Sequence, residues 1–157
     1  RTNRSQNLKI KVEIDTDPPP DFKTEVLQLY NPIPYSVKTY VQEDLFAGKM
    51  HAVLFREWRS RVKGRDWYDM LWFMRREIKL NLHYLEQRMR ASGNWTGENG
   101  LTEKKFMSLC MDKINNLNIE SAKEDIEVFL HDPRSIEAWS QEFFRGVVKK
   151  IEILQIN

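Results

Sequence analysis

The sequence predicts an α+β fold: a short strand-rich segment over residues 1–41, then a helical region of five or six helices over residues 42–157. Three observations predict it. Leu8–Asp15 alternates strictly, with Leu8, Ile10, Val12 and Ile14 on one face and Lys9, Lys11, Glu13 and Asp15 on the other, the period of a half-buried strand. Prolines at 18–20, 32 and 34 cut the segment into short pieces, because proline fixes φ and removes a backbone donor. From Gln42 onward the apolar spacing becomes helical and capping residues recur.

In order, the strand at Leu8–Asp15 ends at the proline run, with Asp15 and Asp17 as turn formers. "EVLQLY" and "SVKTYV" read as two further short strands parted by "NPIP". A sheet this short needs covering, by the helices or by chain outside these residues. The first helix is expected from Gln42 to Trp58, followed by the loop "RSRVKG". The second is expected from Asp66 to Ile78, with Asp66 at the N-cap and Asp69 three residues in, where an acid favours a helix start. "LNLHYLEQRMRASG" makes a third helix stopped by Gly93. Thr102 caps a fourth, and Asn118 or Ser121 caps a fifth that runs to Leu130. Asp132-Pro133 begins the last, expected to run unbroken through "IEAWSQEFFRGVVKK".

Composition narrows the function. At 157 residues the chain is one ordinary domain or a small domain with an appendage, and at 41% hydrophobic and 31% charged it can bury a core and stay soluble. The single Cys110 excludes an internal disulfide or a cysteine zinc site and fits a reducing, cytoplasmic setting. No apolar run approaches the roughly 18 residues of a membrane span. His51, His83 and His131 have no metal-ligand spacing, and no Gly-rich phosphate loop or Ser-His-Asp arrangement is present. The net charge of +2 is uneven: +1 over residues 1–41 (six basic, five acidic), +4 over 42–92 (eleven, seven) and −3 over 93–157 (eight, eleven). The middle third is where an anionic partner is attracted.

That third holds the candidate site. On a helical wheel Lys49 falls at about 40° from Leu45, inside the apolar arc of Phe46, Met50 and Val53, with Arg56 at about 20°. Two readings stand. The lysine stem lies on apolar surface with its charge escaping to water, or the ammonium points into a cleft and contacts an anion. Arg56, Arg59, Arg61, Lys63 and Arg65 surround Trp58. They form either a solvated basic turn or a phosphate-contacting surface with a ring for base stacking. Asp66 and Asp69 serve as helix-start acids. Asp69, flanked by Trp72 and Phe73, is also expected to be partly buried and paired with Lys49 or a loop arginine.

The segments "KIKVEIDTDPPP", "DLFAGKMHAVLFREWRSRVKGRDWYDMLWF" and "NLHYLEQRM", in this order, resemble the nucleotidyltransferase AbiEii/AbiGii toxin family. Lys49-x-His51-Ala52 and the run from Lys63 to Asp69 are the most specific parts. The resemblance implies that the strand-rich segment is the end of a polymerase-β-like nucleotidyltransferase sheet. It implies transfer of a nucleoside monophosphate from a nucleoside triphosphate to an acceptor such as RNA, with Mg²⁺, and a cognate antitoxin as partner. By position, Lys49 matches the family's lysine, Asp66 and Asp69 its late acidic pair, and Lys11 its strand lysine. Glu13 matches a third carboxylate, a catalytic or metal-holding group. The family's Gly-Ser element and metal-binding Asp-x-Asp pair are absent. The chain therefore reads as a C-terminal portion, expected to be inactive alone, since Glu13 makes an incomplete metal site. A non-enzymatic RNA- or protein-binding helical module is the alternative.

Overall fold

The structure is a computed structural model and describes residues 11, 12, 14, 16–56 and 62–155. Two strands, β1 (Thr24–Leu29) and β2 (Tyr35–Tyr40), precede six α-helices: α1 (Gln42–Phe55), α2 (Gly64–Arg75), α3 (Leu82–Ala91), α4 (Glu103–Asn115), α5 (Ile119–Glu127) and α6 (Gln141–Val148). The strands pair antiparallel, with Thr24 opposite Tyr40 and Leu29 opposite Tyr35. The α+β class is as the sequence predicts.

Helix α1 is the centre of the helical body. It packs against α2, α3 and α4, while α2 rests on α5 and α4 on α6. Its buried residues (Asp44, Phe46, Ala47, Met50, Ala52, Val53 and Leu54) occupy most of its circumference, as expected of a helix surrounded by others. The core continues through Met70, Leu85, Met89, Phe106, Ile114 and Phe144. Burying each such large side chain stabilises the fold by roughly 1.5–3 kcal/mol.

Caps set most helix starts. Thr102 accepts from Lys105 N–H, Asn118 from Ser121 N–H and Asn81 from Tyr84 N–H. Gly93 takes φ +74 after α3, the left-handed turn at which helices commonly stop. The C-terminal tail is strapped to the α2–α3 connection: Leu80 N–H donates to Glu152 O and Leu154 N–H to Leu80 O. Among the described residues no helix is long and apolar enough to cross a membrane.

Three expectations are corrected, and a fourth falls mostly outside the described residues. Most of the Leu8–Asp15 strand lies outside the described residues. Of its described members, Lys11, Val12 and Ile14 are assigned to no strand, and Val12 and Ile14 are exposed. Helix α2 begins at Gly64, so Asp66 is the third helical residue and Lys63 holds the cap position, its side chain not capping the helix. Helix α1 ends at Phe55, and Trp58 lies outside the described residues. The last helix is broken: Asp132 caps a single 3-10 turn, Pro133–Ile136, and Ser140 restarts the chain as α6. At the break Trp139 turns into the core against Phe144, with ring centroids 5.2 Å apart.

The helices do not cover the hairpin. Val26, Leu27, Leu29 and Tyr35 are exposed, as are Tyr30 and Ile33 in the connection. The hairpin is moored at its ends instead. Val41 N–H donates to Lys23 O, and Lys23 N–H donates to the buried Asp44 carboxylate at 2.6 Å.

Candidate active site at the crossing of α1 and α2

Gly64 fixes how α2 enters the site. A Cβ there would stand 1.8 Å from the Ala122 carbonyl oxygen on α5, so only glycine allows the backbones to meet. The preceding turn is held by Val62 N–H, which donates to Ser121 Oγ. This contact sets the helix start and turns Asp66 towards α1.

On α1, Lys49 and Arg56 stand seven residues apart, on one face. On α2, Asp66 and Asp69 stand three apart, also on one face. The two rows meet. Lys49 Nζ lies 3.0 Å from Asp66 Oδ1 and 2.8 Å from Asp69 Oδ2. Arg56 donates to both Asp66 oxygens, at 3.4 and 3.2 Å. Two cations and two carboxylates make a set with no net charge. Their exposure differs sharply: the Asp66 side chain is 6% exposed and that of Asp69 48%. The expected pairing of Asp69 with Lys49 is present, yet Asp66 is the buried member. Lys49 donates to Asp66 and is ion-paired with Asp69, and its side chain keeps 24% exposure.

Beside this cluster is a shallow hollow of about 350 Å³, lined by Leu45, Lys49, Asp69, Trp72 and Phe73. Trp72 and Leu45 are exposed there, and the Arg76 guanidinium lies 4.2 Å from the Trp72 ring centre. Sequence reasoning placed Trp72 only as a neighbour of Asp69. The available signal was its three-residue step from Asp69, which puts both on the face turned towards Lys49.

The other candidate residues are dispersed. Arg65 turns to α5, 3.8 Å from Asp125 and 4.7 Å over the Phe129 ring. Lys63 sits at the α2 cap position and Lys11 is exposed in the N-terminal segment. Glu13, Arg59 and Arg61 lie outside the described residues. His51, two residues beyond Lys49, faces α3: its Nε2 is 2.8 Å from Ser92 Oγ. Burial, and then the Arg88 charge, lower its pKa below 6.5. Burial pushes the Cys110 thiol up to about 12, so it is no nucleophile.

Among the described residues no three His, Cys, Asp or Glu side chains converge as a metal site. Asp66 and Asp69 both bind the Lys49 ammonium instead. These residues do not fit Mg²⁺.

The family model described as nucleotidyl transferase AbiEii toxin, type IV TA system, matches residues 2–145 of the chain. No curated protein and no solved structure matches it.

Proposed function

The chain belongs to the AbiEii nucleotidyl transferase toxin family of type IV toxin–antitoxin systems, and we propose that it contributes the helical side of a nucleotide-transfer site in which Lys49 contacts the phosphates of a nucleoside triphosphate. The observation that carries this reading is the Lys49 ammonium held between Asp66 and Asp69, 3.0 and 2.8 Å away, with its side chain still 24% exposed. A lysine fixed by two carboxylates loses little further rotamer freedom when it meets an anion. Asp66, buried and shared with Arg56, is the positioning residue. Asp69, half exposed, can turn from the ammonium to the ligand.

In the reaction proposed, an acceptor hydroxyl attacks the α-phosphorus, the nucleoside monophosphate is transferred and pyrophosphate leaves. Lys49 offsets negative charge on the phosphoryl oxygens as it develops. RNA is the acceptor favoured by the basic run Arg56, Arg59, Arg61, Lys63 and Arg65. A cognate antitoxin in the same cytoplasm is the proposed partner. By the resemblance, Mg²⁺ would belong to the family's Gly-Ser and Asp-x-Asp elements, with which Asp15 and Asp17, read as turn formers, are not matched, and no step is routed through it. The chain alone is expected to bind nucleotide without transferring it.

The test uses protein that carries these residues together with the family's Gly-Ser and Asp-x-Asp elements. Lys49→Met abolishes transfer of labelled nucleotide to RNA while circular dichroism stays unchanged. Undiminished transfer removes Lys49 from the mechanism. A non-enzymatic RNA-binding module is the second reading, favoured by the charge-neutral packing of the cluster. It requires RNA affinity that falls linearly in log–log form with salt and is unchanged in Lys49→Met.

A further inference from the structure

Trp72 is an exposed tryptophan that the core does not need. Its ring is 41% exposed, yet its orientation is fixed from behind. Phe73 meets it edge-on at 5.0 Å, and Phe73 is itself stacked on buried Phe46 at 5.0 Å and 10°. Arg76 adds a guanidinium 4.2 Å from the ring centre, a contact that helps hold the indole. Leu45, also exposed, supplies a second apolar wall. Lys49 and Asp69 close the same hollow with one cation and one carboxylate.

The lining therefore has three parts: an apolar aromatic wall, a partly exposed ammonium, and a half-exposed acceptor. Its volume of about 350 Å³ lies at the small end of small-molecule sites, which are mostly apolar with a few placed polar groups. A free anion such as inorganic phosphate would use the ammonium and leave Trp72 and Leu45 in water. An apolar ligand would use those walls and leave Lys49 and Asp69 without a role. A nucleotide uses all of them, because it joins a flat π-surface to a polyanion with donor groups on sugar and base.

We propose that the hollow is the base seat of the nucleotide: the nucleobase lies against Trp72 and Leu45, its phosphates reach Lys49, and Asp69 accepts a hydrogen bond from a ribose hydroxyl or base amine. Trp72 is then a residue that sets nucleotide affinity, rather than a structural one. The inference rests on the proposed contact between Lys49 and phosphate, and the two are separable by ligand. A nucleoside has the base without the phosphates.

The experiment measures binding of each of the four ribonucleosides and each of their 5′-triphosphates to the wild type, Trp72→Ala, Trp72→Phe and Lys49→Met, with circular dichroism as the folding control. Trp72→Ala weakens the best-binding nucleoside and its triphosphate alike, by roughly 5- to 150-fold, the range that loss of one base–aromatic stack gives. Trp72→Phe restores most of that loss. Lys49→Met weakens the triphosphate and leaves the nucleoside unchanged. If Trp72→Ala binds triphosphate as the wild type does, the base seat is overturned while the Lys49 contact stands. If Lys49→Met binds triphosphate normally and Trp72→Ala does not, the phosphate contact falls and the base seat stands. A folded wild type that binds none of the eight ligands overturns both.

Discussion

Two buried aspartates mark the ends of α1, Asp44 on the helix itself and Asp66 facing it from α2, and the two are built differently. At the N-terminal end, Asp44 is 1% exposed and accepts from the Lys23 backbone N–H and the Asn81 side-chain amide, both at 2.6 Å. Asn81 in turn caps α3. Facing the C-terminal end, Asp66 is 4% exposed and is met by two cations, Lys49 and Arg56. Neutral donors satisfy Asp44 and connect hairpin, α1 and α3. The Asp66 partners reach solvent and carry donors beyond those it uses. A buried carboxylate therefore does not mark a site by its burial. The character and reach of its partners separate a structural joint from a chemical one.

The largest effect comes from breaking the C-terminal end at its root. Gly64→Ala forces a methyl group into the Ala122 carbonyl, and the opposing atoms are backbone, which cannot swing aside. The loss is about 3 kcal/mol, at the upper end of overpacking costs, read as a lower urea midpoint. Because α2 must shift, nucleotide affinity falls with it. A variant of wild-type stability would show that α5 does not fix the start of α2.

Next come the aspartates themselves. Asp44→Ala leaves the Asn81 amide and the Lys23 N–H without their acceptor, a loss of about 2–3 kcal/mol in stability. Triphosphate affinity of the folded protein is unchanged. Asp66→Asn does the reverse. Lys49 and Arg56 are partly exposed and water takes over much of their solvation, so stability falls by about 1 kcal/mol, while triphosphate binding weakens because the ammonium is no longer aimed. The comparison breaks if Asp44→Ala impairs binding as much as Asp66→Asn does, measured by titration on folded protein.

Legibility in the sequence followed the range of the interaction. The caps at Thr102, Asn118 and Asp132 were readable, since each bonds a backbone N–H two or three residues away. The meeting of Lys49 and Asp69 was readable because a lone lysine in an apolar arc needs a partner and α2 offers acids at helical spacing. The reversed burial of Asp66 and Asp69 was not, because the contact of Gly64 with distant α5 decides where α2 starts. The Asp44–Asn81 joint was hidden for the same reason. Ser140 was locally readable as a cap, but the apolar run on both sides of it masked the break. The wheel could not choose between the two readings of Lys49, because a helix packed against three others shows no polar face for comparison.

The smallest effect tests the face of α1 turned to α3, where His51 sits between the two ends. Burial most of all, then the charge of Arg88 and less so that of Arg56, hold its pKa below 6.5, while a hydrogen bond to the Asn94 side chain opposes them. The unfolded chain therefore binds a proton at His51 near pH 6.5 and the folded chain only at lower pH. Where the unfolded state binds more protons, stability rises with pH. The His51 contribution is complete above about pH 6.5 and declines as pH falls from there to the lowered folded value. His51→Gln flattens that decline, seen as a smaller difference in urea midpoint between pH 7.5 and pH 5. His83 and His131 remain in both proteins, so the difference isolates His51. An unchanged pH dependence would mean that α3 does not bury the ring as drawn. Nucleoside triphosphate binding at pH 7.5 should be the same in both, because His51 and Lys49 occupy different faces of one helix.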